Sequence, residues 1–288
     1  MDTMIRGTAF GSEVRFLAAY SKDTVEEARR IHGTTPVCTA ALGRLLTAGA
    51  MMGALYKNDG DLLTLKVDGS GPIRQLTVSA DTAGHVRGLM YDPLVELPLK
   101  ENGHLDVGGA IGAGTLTVIR DQGLKEPYSG TTPLVSGELG DDITYYFAAS
   151  EQTPSSVGLG VLVDMDLSVA HAGGFIIQLL PHASEATLDA LEEALSKVRS
   201  VTDYFTREAS PEYMMREILG DIKKEDSIEL SYKCTCDRER VVKALLSLGR
   251  SELESLIAEN RPVTLHCDFC NKDYSFETEE IREMILNR

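Results

Sequence analysis

With 288 residues and 31.3 kDa, the chain has room for one large domain and one small one. Its 43% hydrophobic and 25% charged content is that of an ordinary globular protein. The net charge is −16, and residues 1–178, 179–231 and 232–288 are each acidic on balance, which argues against a nucleic-acid partner and suits a protein that stays dissolved while exposing apolar surface.

The N-terminal stretch MDTMIRGTAFGSEVRF has no apolar run and no small-residue cleavage site, so no secretory signal is expected. SKDTVEEARRIHG reads as a helix. A second helix is expected from Thr35 as N-cap and Pro36 as first helical residue to about Tyr56. This is the most apolar window of the chain, but it holds Arg44 and is rich in Gly, Ala and Thr. A buried helix fits it better than a membrane span. The expected location is cytoplasmic, where unpaired thiols stay reduced.

From Leu62 to about Leu180 short β-rich runs such as LLTLKVDG, IRQLTVSAD, GTLTVIRD, VGLGVLVD and GGFIIQLL are cut by Gly, Pro, Asn and Asp. GELGDDITYYFAASEQ reads as a helix among them. Strands and helices do not alternate regularly, so the fold class is α+β, a mixed helix/sheet core domain over residues 1–180. Residues 181–226 form an acidic, amphipathic helical linker. Leu188, Leu191, Leu195 and Val198 recur there at helical spacing, and SPEYMMREILGD starts with Ser-Pro and stops at Gly220.

Residues 227–288 make a third, small domain. SIELSYK is a strand leading to Cys234, DRERVVKALLSLG a helix, and SELESLIAEN another with Ser251 and Glu254 at capping-box spacing. VTLHCDFCNKDYSF is a hairpin and TEEIREMILN a closing helix. Cys234 and Cys236 stand one residue apart, and Cys267 and Cys270 two residues apart. Two close pairs around a short helical insert lead to a four-thiolate zinc site, each pair sitting where a chain reversal points both sulfurs the same way. Two permanent disulfides, a thioredoxin-type C-x-x-C, and His266 in place of one cysteine are the alternatives. They are disfavoured by a reducing compartment, by the strand following CDFC, and by the alternation of neighbours on an extended chain. A domain of this size needs a staple, and zinc supplies about 10–16 kcal/mol of folding free energy. Zinc also keeps the sulfurs as thiolates, the form that peroxide oxidises, and a close neighbour then condenses to a disulfide. The spacing serves a purely structural site equally well.

At these residues the sequence resembles the heat shock protein 33 family of bacterial redox-regulated holdases. Cys234-Thr-Cys236 with Cys267-Asp-Phe-Cys270 matches that family's zinc signature. HGTTPVCTAALGRLLTAGAMMGA, GELGDDITYYFAASEQTPSSVGLGVLV and AGGFIIQLLP match along the rest of the chain. The resemblance implies an ATP-independent chaperone, not an enzyme, with one zinc ion per reduced chain. It also implies inactivity while reduced and disulfides Cys234–Cys236 and Cys267–Cys270 on oxidation. Unfolding of zinc site and linker and binding of unfolding client proteins follow, often as a homodimer, with no nucleic acid and no membrane as partner. The contrasting reading is an enzyme with its site in the N-terminal domain and the zinc module as a structural lid.

Other residues read as structure. Cys38 is expected to be a buried inert thiol, and Gly108–Gly114 a turn, since it lacks the P-loop pattern. Glu138, Asp141 and Asp142 read as carboxylates at a helix N-terminus. Ser155 and Ser156 read as a turn, and His32, His85, His104, His171 and His182 show no metal spacing.

Overall fold

The structure, a computed structural model, describes residues 1–56 and 58–286. In chain order, β1 (Thr3–Ala9) and β2 (Val14–Tyr20) form a hairpin around a single 3-10 turn, followed by α1 (Lys22–His32) and α2 (Pro36–Gly53). Then come β3 (Leu62–Gly69), β4 (Gln75–Asp81), β5 (His85–Met90), α3 (Val107–Ile111), β6 (Gly114–Asp121), β7 (Tyr128–Pro133), α4 (Gly140–Ala149), β8 (Ser155–Val163) and β9 (Val169–Leu179). The expected helical stretch is α5 (Glu185–Ser196), α6 (Val201–Arg207) and α7 (Pro211–Leu219), running into β10 (Ile222–Glu229) and β11 (Ser231–Tyr232). The tail holds α8 (Arg238–Leu246), α9 (Arg250–Ala258), β12 (Val263–Cys267), β13 (Lys272–Phe276) and α10 (Thr278–Leu286). The mixture is α+β, as the irregular order of segments predicts.

Residues 1–233 are one compact unit and residues 234–288 another. In the first, an antiparallel sheet has the order β10-β1-β2-β9-β8. A second has the order β11-β5-β4-β3-β6-β7, antiparallel except for the parallel β11–β5 pair. Helix α2 packs on strands of both sheets and buries 16 of its 18 residues. That explains its composition. Ala and Gly let strands come close, and a Cβ on Gly49 would meet Val78 at 2.7 Å. The Thr35–Pro36 start is as expected, although the Thr35 hydroxyl donates to the Val95 carbonyl at 2.5 Å and does not cap the helix. Among the described residues no helix is long and apolar enough to cross a membrane.

The first sheet is apolar on both faces, which the alternation in β1 and β2 spells out. Met4, Leu17 and Ala19 join the core around α2, while Ile5, Phe16, Ala18 and Tyr20 face a second core. That second core is completed by Leu191, Val201, Phe205, Met214, Met215, Ile218 and Leu219 of α5–α7. Leu188 of the expected stripe is 39% exposed, and Leu195 and Val198 only flank the cluster. The apolar weight of this stretch therefore sits in α6 and α7. Phe205 fits a notch at Gly173, where a Cβ would stand 2.4 Å from its ring and 2.3 Å from the Ala19 carbonyl oxygen.

The strand expected from SIELSYK exists, but in the first unit: β10 pairs with β1 from Thr3↔Glu229 to Ala9↔Ile222, and the Lys233 N–H donates to the Val86 carbonyl. The second unit is built around Leu245, Leu253, Phe276 and Ile281, with the expected hairpin in the register Val263↔Phe276 to Cys267↔Lys272. The capping box at Ser251 is a misreading. The N-cap of α9 is Gly249, at φ 92°, two residues before Ser251, and Glu254 accepts instead from Arg250 Nε at 2.9 Å.

Candidate metal centre

Two chain reversals of the second unit carry the four sulfurs. Cys234 and Cys236 precede α8, whose first turn is fixed by Asp237, its carboxylate accepting the Arg240 N–H at 2.7 Å. Cys267 ends β12. The turn after it brings the N–H groups of Cys270 and Asn271 onto the Cys267 carbonyl at 3.2 and 2.8 Å, with Asn271 at φ 53°. Arg238 clamps the frame: it stacks 4.3 Å from the Phe276 ring centre and donates to the Ser275 carbonyl and the Glu280 carboxylate.

All four Sγ atoms lie within 4.8 Å of one another. Cys234 and Cys267 are 3.7 Å apart, and Cys236 and Cys270 3.2 Å. Four sulfurs at about 2.3 Å from one zinc ion in a tetrahedron stand about 3.8 Å apart, so modest adjustment of this cluster would hold the ion. The all-thiolate donor set also suits zinc. His266 is not part of the cluster. Its Nδ1 faces the Asp273 carboxylate at 2.7 Å and its Nε2 the Asn271 side chain at 3.4 Å.

The sulfurs are not equivalent. Burial pushes the Cys234 and Cys270 thiols up. Burial also acts upward on Cys236, but the Tyr274 hydroxyl, donating to its sulfur at 3.2 Å, and the neighbouring thiols outweigh it and bring Cys236 down to about 7. A low value marks the sulfur most ready to be a thiolate, the form that both ligates and reacts. Tyr274 was not singled out in the sequence. Its pairing with Leu265 across the hairpin is what aims it at Cys236, a consequence of register that spacing alone does not reveal.

The remaining residues of interest take structural places. Cys38 is fully buried, its thiol pointing at the Asp92 and Val95 carbonyls, and burial raises its pKa. Asp142 gathers the N–H groups of Val135, Ser136, Gly137 and Leu139 at the start of α4, and Asp141 accepts from the Ser136 hydroxyl. Glu138 departs from the helix-terminus reading, since it pairs with Arg44 and Lys100. Gly108–Gly114 is not simply the expected turn: Gly108–Ile111 make up most of the short helix α3, Gly112 turns at φ 72°, and Gly114 begins β6. Ser155 and Ser156 begin β8 and are not in a turn. A cavity of about 750 Å³ beside β8 is lined by Arg44, Glu138, His104, Ser156 and Arg199 among others, with no hydrogen bond joining His104 to Ser156.

A family profile described as Hsp33 protein matches residues 2–277. A 33 kDa chaperonin of Agathobacter rectalis is 52% identical over 285 residues, covering 98% of this chain and 99% of that one. A 33 kDa chaperonin of Bacillus cytotoxicus is 46% identical over 287 residues, covering 99% and 98%. The crystal structure of the 33 kDa chaperonin, a heat shock protein 33 homologue, of Thermotoga maritima superposes with a TM-score of 0.90 at 38% identity, covering 99% of this chain and 98% of that one.

Proposed function

The chain belongs to the Hsp33 family of chaperones, and on that premise we propose that it is an ATP-independent holdase switched on by oxidation. The observation that carries the reading is the convergence of Cys234, Cys236, Cys267 and Cys270 within 4.8 Å. Bound Zn²⁺ would keep these four sulfurs ionised and tie the turn before α8 to the β12–β13 hairpin.

Each thiolate is also a nucleophile toward peroxide, and a second sulfur is already close enough to complete a disulfide with little chain entropy lost. Pairing of Cys234 with Cys236 and of Cys267 with Cys270 removes all four ligands at once. Among the described residues of the second unit only Leu245, Leu253, Phe276 and Ile281 are fully packed away, so its fold is proposed to depend on the metal link. Its unfolding is proposed to be followed by release of α5–α7 from the first sheet. The apolar side chains thus freed, Phe205, Met214, Met215 and Ile218 foremost, bind unfolding clients, each contributing about 1.5–3 kcal/mol when covered again. The oxidised chain works as a homodimer in the cytoplasm, without nucleic acid or membrane as partner.

The test is light scattering of a heat-unfolding client. With reductant and zinc the chain leaves aggregation unchanged, and after peroxide with mild heat it suppresses aggregation. Equal suppression in both states contradicts the proposal.

A further inference from the structure

The first unit ends just past β11, which is only Ser231–Tyr232. Along β5 the main-chain groups facing β11 recur at every second residue. The Ser231 N–H donates to the Gly84 carbonyl at 3.1 Å and the Lys233 N–H to the Val86 carbonyl at 2.9 Å. Gly88 is next on that edge and is buried, but β11 has ended. The Tyr232 hydroxyl fills the place: it donates to the Gly88 carbonyl at 2.8 Å and accepts the Gly88 N–H at 3.3 Å. His32 Nε2, at the end of α1, stands 2.9 Å from the same carbonyl and 3.2 Å from the hydroxyl. One phenol thus takes over the ladder where the main chain leaves it, and joins β11 to β5 and α1. We propose that Tyr232 is a positioning residue whose hydroxyl stops unfolding that begins at Cys234 from spreading into β10 and α7. It so sets the temperature at which the oxidised chain becomes active, a role that rests on the redox reading above.

The order of elements gives the reason. Along the chain, unfolding that starts in the second unit meets β11 first, then β10, then α7. With residues 234–288 unfolded, β11 becomes the end of the folded part, and such ends open most easily when few bonds hold them. Behind it, β10 pairs with β1 and carries Lys224, which meets the Glu212 carboxylate of α7 at 3.3 Å. Loss of β10 therefore loosens α7 as well. Tyr232→Phe keeps the ring, which packs against the core around α2, and removes only the hydroxyl. The buried Gly88 N–H then loses the oxygen it donates to, and an unmet buried donor shifts an opening equilibrium about tenfold.

The experiment uses the full-length, zinc-loaded chain before and after peroxide. It combines hydrogen exchange by mass spectrometry, zinc release read with a chromogenic chelator, and light scattering of a heat-unfolding client over a temperature series. Tyr232→Phe leaves the four cysteines in place and should release zinc at the wild-type rate. Amides of β10 and β11 should exchange about tenfold faster than in wild type, and suppression by the oxidised chain should begin at a lower temperature. Wild-type exchange in β10 and β11, or suppression that begins at the wild-type temperature, overturns the proposal. Faster zinc release places the effect at the metal centre and overturns it too, as does equal acceleration in β3, β4 and β6, which marks general weakening of the first unit. A wild-type chain that keeps its zinc throughout overturns the redox reading and this role with it.

Discussion

Truncating Phe205 to alanine separates the linker from the rest of the first unit. Phe205 is 1% exposed, its ring centre is 5.0 Å from that of Tyr20, and it fills the notch that Gly173 leaves. Losing a fully buried phenyl ring costs about 3–5 kcal/mol. Helix α6 has only seven residues and only Val201, Thr202 and Phe205 buried, so no other side chain of the helix replaces that anchorage. At about 1.4 kcal/mol per factor of ten, the population with α6 and α7 lifted from β9 should rise by roughly two to three orders of magnitude. Native-state hydrogen exchange reads this directly. Amides of α6 and α7 should exchange at least about 100-fold faster in Phe205→Ala, while those of β3, β4 and β6, which pack in the other core, should change far less. The proposed function adds that the variant should suppress client aggregation even when reduced. Uniform acceleration across both cores would show that the helices do not open as a unit and would refute the reasoning.

Cys234→Ser removes one of four ligands and should weaken zinc binding by more than the roughly 10–100-fold expected for loss of an outer partner, measured by chelator competition. Glu138→Gln leaves Arg44 and Lys100 without their shared carboxylate. Breaking a fully buried pair costs about 3–5 kcal/mol, but these side chains keep partial access to water, so about 1–3 kcal/mol is expected in urea melts at pH 7. Burial acts upward on Glu138, yet the bonds from Lys100 and Arg44 prevail and hold its pKa below 4.5. Its contribution is therefore complete above about pH 4.5 and is lost as the pH falls through the folded value, so the gap between wild type and Glu138→Gln should close in acid melts. Gly173→Ala should destabilise the docked α6, because its methyl would meet both Phe205 and the Ala19 carbonyl. Thermal melts of the zinc-loaded chain will show a lower midpoint.

What could be read from the residues was local chemistry. The C-x-C and C-x-x-C spacings marked the sulfur cluster, Thr35-Pro36 marked the start of α2, and CDFCNKDY marked the hairpin. What escaped depends on distant pairing. The segment IKKEDSIE carries charges along most of its length because β10 is an edge strand with exposed residues, so no alternation announces that it joins β1 some 220 residues earlier. Ser251 and Glu254 fitted a cap by spacing, but the φ of Gly249 decided where α9 begins. The linker's regular leucines drew attention to α5, whereas Val201, Phe205, Met214 and Met215, spread over two short helices, make most of the contact with the first sheet.

The second unit comprises 55 residues, Cys234 to Arg288, for which ordinary stability is about 3–8 kcal/mol, less than the about 10–16 kcal/mol that a zinc ion supplies to a four-ligand site. The most direct measurement is therefore the metal content of the purified, reduced chain together with far-UV circular dichroism melting of its tail, before and after peroxide. The account predicts one zinc ion per chain and a cooperative tail transition, both lost on oxidation. A reduced chain free of metal whose tail still melts cooperatively would contradict it.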